Sequence, residues 1–83
     1  MSVVVTYRGP TAAEATGRYY ADARPRARAG WVPLAVERHS GFGVAELAVT
    51  YLRDRLAVAY VIEVLDSVAL AGFDDPIVPR VAW

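Results

Sequence analysis

Residues 55–71, RLAVAYVIEVLDSVALA, decide the fold. Asp54 stands before them as a capping residue, Gly72 follows as a terminator, and the run between is long enough for a helix. Val58, Val61, Ile62 and Val64 pull the other way, because β-branched side chains lose freedom in a helix and pack well on a pleated surface. The competing reading therefore makes 56–65 a strand hairpinned onto the one before it. Read as a helix, the segment is apolar almost all round, with Glu63 and Asp66 not gathered on one face. Such a helix must be buried on more than one side, which points to a partner. It falls short of the roughly 20 residues that cross a bilayer and carries two acids, so a membrane helix is not expected.

Upstream, residues 44–53 (VAELAVTYLR) alternate, with Ala45, Leu47, Val49 and Tyr51 inward and Glu46 and Thr50 facing away. Residues 31–39 (WVPLAVERH) alternate too: Val32, Leu34, Val36 and Arg38 share one side, Trp31, Pro33, Ala35, Glu37 and His39 the other. The glycine-bearing Ser40-Gly41-Phe42-Gly43 joins them as a hairpin. Downstream, residues 76–83 (PIVPRVAW) form a short apolar run with two prolines, read as a last strand.

At the other end, residues 2–8 (SVVVTYR) are a β-branched strand stopped by Gly9-Pro10. Val3, Val5 and Tyr7 share one face, and Val4, Thr6 and Arg8 the other. Thr11 with Glu14 three residues on is a capping-box pattern. From there Ala12, Ala15, Tyr19, Ala23 and Ala27 make an apolar stripe at helical spacing that runs to about Ala29, with Gly30 as the stop. Pro25 predicts a kink or break near Ala23 and Arg24, since it removes one helical hydrogen bond and disfavours helical geometry in the residue before it.

The order is β-α-β-β-α-β, that of a ferredoxin-like α+β sandwich, an antiparallel sheet with two helices on one face and a single domain over residues 1–83. In that fold the first and third strands are central. Pro33, Pro76 and Pro79 all fall in the second and fourth, as expected if proline is confined to edges. Val5-Thr6-Tyr7-Arg8 and Val49-Thr50-Tyr51-Leu52-Arg53 echo each other at the ends of the two proposed central strands.

The pattern Tyr7-x-Gly9-x-Thr11, Glu14-Ala15, Tyr20-x-Asp22-Ala23, Gly30-Trp31-x-Pro33 and Val49-Thr50-Tyr51 resembles an uncharacterised group of small proteins from high-GC bacteria, over roughly the first 53 positions. The resemblance implies a β-α-β-β unit and nothing catalytic. Members of that group often carry a membrane-spanning stretch between the second and third strands; here only a short turn lies between them.

A chain of 83 residues, 55% of them hydrophobic, is too apolar for disorder, yet a domain of this size buries only roughly 60% of the surface its unfolded chain exposes. Cysteine is absent, so no disulfide or thiolate metal site adds stability, and a partner subunit is the most economical supplement. The formal net charge of zero lacks the field that phosphate backbones demand, which argues against nucleic acid as a partner. The charge is uneven, however: residues 1–40 carry six arginines against Glu14, Asp22 and Glu37, and the remainder carries the mirror-image excess of acid. Such a chain can pair charges within itself or with a second copy. With no signal-peptide pattern before the first strand, a cytoplasmic location is the default expectation. Every basic residue is arginine and alanine is abundant, a bias of high-GC genomes.

Candidate chemistry is sparse. His39, the sole histidine, has Ser40 as its sequence neighbour, but adjacent strand residues point to opposite faces and no third orienting group follows, so no catalytic residues are assigned. One histidine without cysteine makes no structural zinc site, and Asp74-Asp75 before Pro76 reads as a solvated turn. Gly41-x-Gly43 precedes a strand rather than a helix, so it offers no phosphate cradle, and no cofactor is expected. Arg24, Arg26 and Arg28 beside Tyr19, Tyr20 and Trp31 suggest an anion patch, though arginines also suit the end of a helix dipole.

Two readings of function follow. One is an assembly module, self-associating or docking on another protein through the open sheet face at Val4, Thr6, Ala48, Thr50 and Leu52 and through the second helix. The other is a dimeric α+β barrel that binds or transforms a small molecule in a cavity between sheets, met by Tyr7, His39, Glu46 and Tyr51. The first is preferred for want of chemistry.

Overall fold

A computed structural model of the chain describes residues 1–72 and 75–79. Its elements are β1 (Ser2–Gly9), α1 (Ala12–Arg28), β2 (Trp31–Gly41), β3 (Val44–Arg53) and α2 (Val58–Ala71). The protein is α+β, an antiparallel three-stranded sheet in the order β1-β3-β2 with two helices. The disputed segment is a helix, as expected, though residues 55–57 form the bends that lead into it. Asp54 ties those bends, its Oδ1 accepting from the Leu56 and Ala57 amides at 2.9 and 3.4 Å. Gly72 closes the helix in the left-handed region at φ 69°.

Core packing follows the alternation. Tyr7 of β1 and Ala45, Leu47, Val49 and Tyr51 of β3 are buried against Ala15, Tyr19, Ala23 and Ala27 of α1 and Val61, Leu65 and Val68 of α2. Burying each Val- or Leu-sized side chain contributes about 1.5–3 kcal/mol. The β-branched residues of α2 tolerate the helix because Val61 and Val68 share the buried stripe with Leu65 at helical spacing, and packing outweighs their modest propensity cost. Only that stripe is buried: Tyr60 is 47% and Leu70 91% exposed.

Helix α1 starts as read, with Thr11 Oγ1 accepting from the Glu14 amide at 3.2 Å. The expected break at Pro25 is absent, and α1 runs through it to Arg28. Pro25 and Ala21, whose carbonyl loses its donor, both lie on the exposed face, where solvent can replace the missing bond.

The hairpin turn is Phe42-Gly43, between the paired Gly41 and Val44, with φ 53° and 76°. Two positive φ values make the turn whose twist matches the strands it joins. In β2 the even alternation expected from sequence fails. The register shifts between Pro33 and Ala35, leaving Leu34 as the extra residue of a bulge. Below the bulge Val36 and Arg38 lie opposite Val49 and Leu47 on the helix side, while above it Val32 and Pro33 are both buried.

The expectation of a fourth strand over 76–83 divides in two. Residues 76–79 carry no regular structure, and 80–83 lie outside the described residues, as does Asp74. Among the described residues β3 is therefore the central strand, and β1, expected at the centre, lies at a margin. Helix α2 packs on α1 and meets the sheet at β2, not at β1.

Candidate functional site

Two hydrogen bonds at the end of β3 fix which backbone groups face outward. The Arg53 amide donates to Met1 O at 3.4 Å, and the Asp54 amide to Gly30 O at 2.9 Å. Since antiparallel pairs alternate, β3 spends its odd-numbered residues on β1 and its even-numbered ones on β2. Along β1 the partners of those odd positions are Val3, Val5 and Tyr7. The N–H and C=O groups of Ser2, Val4, Thr6 and Arg8 thus point away from β3, and among the described residues no strand receives them.

The two margins of the sheet differ in chemistry. Along β2 the same alternation turns the nitrogen of Pro33, opposite Tyr51, outward, where its missing donor costs nothing. The bulge at Leu34 follows at once, then Glu37, Arg38 and His39, so this margin carries three devices that discourage pairing. Strand β1 has none of them before Arg8. It is eight residues of regular backbone, with four β-branched residues in a row from Val3 to Thr6. Val3 and Val5 point to the helix side yet stay half-buried, because α2 stands over β2 instead.

The five residues assigned to an open face do come together. Val4 lies opposite Thr50, Thr6 opposite Ala48, and Leu52 opposite Ser2, all on the side away from the helices. Val4 is 64% exposed and Thr6 is exposed, while Ala48, Thr50 and Leu52 are half-buried between flanking strands.

The four residues assigned to a ligand cavity do not. Tyr7 and Tyr51 are buried on the helix side, and His39 and Glu46, opposite one another, sit on the other face. Glu46 Oε1 is engaged by Arg8 Nε at 2.7 Å across the open face, and His39 lies near Glu37 at 3.5 Å.

Tyr7 and Tyr51 instead belong to a polar network that sequence reading missed. The Tyr7 hydroxyl donates to Asp22 Oδ2 at 2.6 Å, and Arg26 Nε donates to the same oxygen at 2.6 Å. Arg26 also lies over the Tyr51 ring, 5.4 Å from its centre. Burial raises the Tyr7 pKa, and the carboxylate accepting its proton raises it further. Burial likewise pushes Tyr51 up to about 12. At Asp22 burial works against ionisation, but the bonds from Tyr7 and Arg26 outweigh it and hold the carboxyl below its ordinary value. A tyrosine so strongly held in its neutral form is a poor base, so the network pins β1, β3 and α1 together. The i,i+4 spacing of Asp22 and Arg26 was its one signal in the sequence.

The suspected anion patch is spent internally. Arg26 serves Asp22, while Arg24 reaches Asp66 of α2 at 2.9 Å and Arg28 approaches it at 3.6 Å.

The tail is clasped by α1. The Tyr19 hydroxyl donates to Ile77 O at 2.7 Å, and that of Tyr20 donates to Asp75 O at 2.5 Å while accepting from the Ile77 amide at 2.8 Å. Arg38 stands 3.6 Å from Asp75. Residues 75–77 are thereby held over α1 and the hairpin end of β2.

Among the described residues no cluster of His, Asp and Glu side chains is placed to hold a metal, and no helix is long and apolar enough to cross a membrane. Compared with protein-family models, curated proteins and solved structures, the chain matches none.

Proposed function

We propose that this protein is a self-assembly module, in which two copies join antiparallel through β1 into one continuous six-stranded sheet. The observation that carries the reading is the contrast between the margins: β2 is blunted by Pro33 and a bulge, and β1 is not. Pairing centred on Val5 would match Ser2 with Arg8 and Val4 with Thr6, satisfying every outward backbone group of β1 by a two-fold operation. Val5 would meet its own copy and Val3 would meet Tyr7, cross-strand pairs of a favourable kind. The open face around Val4 and Thr50 would then run unbroken across both copies.

A full β-α-β-β-α-β sandwich would set a fourth strand of the same chain against this margin. Two features support an open margin instead: α2 leans on β2, and Asp75 to Ile77 are bound over α1. The likeness of the first 53 positions to small high-GC bacterial proteins supplies no activity that would compete with assembly.

Light scattering after size exclusion, across a dilution series of the whole chain, tests the proposal. A dimer is expected, and Val4→Pro should give a monomer with unchanged circular dichroism, because the Val4 amide makes no bond to β3. Val4→Lys serves as a second variant should proline disturb folding. A wild-type monomer, or variants that stay dimeric, would overturn it. A chain ending at Pro79 that dimerises where the full chain does not would assign the margin to residues 80–83.

A further inference from the structure

We propose that a second, independent site lies under the clasped tail and binds a short-chain monocarboxylate within a single copy of the chain. A cavity of about 160 Å³ is bounded there by α1, the hairpin end of the sheet and the tail. Its walls include Thr16, Arg38, Ser40, Ala45, Leu47 and Pro76, together with His39 and two acidic residues, Glu46, whose carboxylate is engaged by Arg8, and Asp75, which faces Arg38. Arg38 lies opposite Leu47 and Ser40 opposite Ala45, and both pairs are on the helix side.

The polar groups lining the cavity set the chemistry of the ligand. Thr16 is 1% exposed, and among the described residues its Oγ1 has no hydrogen-bond partner, a state that few buried hydroxyls tolerate. Arg38 is held only loosely, 3.6 Å from Asp75 and 59% exposed, so its guanidinium is free to take a better carboxylate. The first turn of α1, at Ala12, adds partial positive charge to the same corner. The side chains of Ala45, Leu47 and Pro76 add an apolar part to the wall. A ligand that fits has one anionic end and a short apolar stem. With roughly 30 Å³ for a water in the liquid, the volume admits about five or six non-hydrogen atoms, the size of butyrate. Because the carboxylate competes with Asp75 for Arg38, occupancy should loosen the tail.

Titrating sodium butyrate into the full chain and following amide chemical shifts tests the site. Saturable shifts are expected at Thr16, Ser40, Leu47 and Ile77. Arg38→Gln, at an exposed position that leaves the core intact, should weaken binding about tenfold, as loss of a bond to a charged group does. Thr16→Val should weaken it severalfold, and n-butylamine, a cation of the same length, should produce no shifts there. The proposal is overturned if butyrate gives no saturable shift, if Arg38→Gln binds it unchanged, or if the amine binds equally well. Absence of shifts together with a higher melting temperature for Thr16→Val would mark the cavity as a packing gap that holds water.

Discussion

Tyr51 donates its hydroxyl proton to Tyr7, 2.5 Å away and 44 residues earlier in the chain. The direction is fixed by counting protons, since a phenol has one and Tyr7 gives its own to Asp22. Relayed through Tyr7, β3 is tied to a carboxylate on α1 that it does not itself reach.

Unequal costs for two similar deletions follow. Tyr7→Phe leaves the wholly buried Tyr51 hydroxyl without an acceptor and strips Asp22 of one donor, for an expected loss of about 1–3 kcal/mol. Tyr51→Phe removes a donor whose acceptor, Tyr7, still serves Asp22, so about 0.5–1.5 kcal/mol is expected. Urea unfolding of both variants checks the order; equal losses, or the reverse order, would contradict the assigned direction.

Stability should depend on pH at both extremes. Asp22 has a lowered pKa when folded, so its contribution is complete above the ordinary carboxyl value of about 3.9 and is lost as the pH falls through the lower folded value. Asp22→Asn should flatten that acid limb. Tyr51 is raised from 10.0 to about 12, so its neutral form stabilises fully below pH 10 and that contribution fades as the pH climbs to about 12. Tyr7 and Tyr19, raised by burial first of all, act in the same sense. Phenolate absorbance of these residues should therefore appear together with loss of circular dichroism, not before it.

Phe42 is a stabilisation site. Its side chain is fully exposed and its φ of 53° belongs to the left-handed region, which costs a residue other than glycine or asparagine roughly 1–2 kcal/mol. Phe42→Asn should accordingly raise stability by about 1 kcal/mol with no change in fold. A melting temperature at or below that of the wild type would show that the phenyl ring makes contacts that matter.

Pro25→Ala should also stabilise. Alanine restores the bond to the Ala21 carbonyl, and the interior penalty of proline, about 3 kcal/mol at most, is reduced here because both residues face solvent. A gain of about 1 kcal/mol in chemical denaturation is the expected result.

Much of this fold can be read from residues in local order. Thr11 and Glu14, the inward set from Ala45 to Tyr51, and Gly72 at the end of α2 each act through neighbours within a few positions, and each behaves as its pattern suggests. Asp54, by contrast, ties the bends before α2, and the cap position falls at Ala57, without a side-chain bond. What could not be read depends on long-range geometry. Nothing around Leu34 announces a bulge, which arises from fitting Pro33 beside Tyr51 while keeping Val36 over the core. Nor does any local pattern say that α2 will lean towards β2, on which the exposure of β1 depends. The candidate site divides the same way. The open-face residues followed from simple alternation, whereas pairing Tyr7 with Asp22 required knowing how α1 crosses the sheet.

Pro33 and the bulge beside it have a bearing on polymerisation. A sheet that is adhesive on both sides can add molecules without end and grow into a fibre. In the proposed dimer β1 is the side that accepts a neighbour, and both outward sides would be the proline-bearing ones. On that reading growth would have nowhere left to proceed, and assembly would stop at a pair.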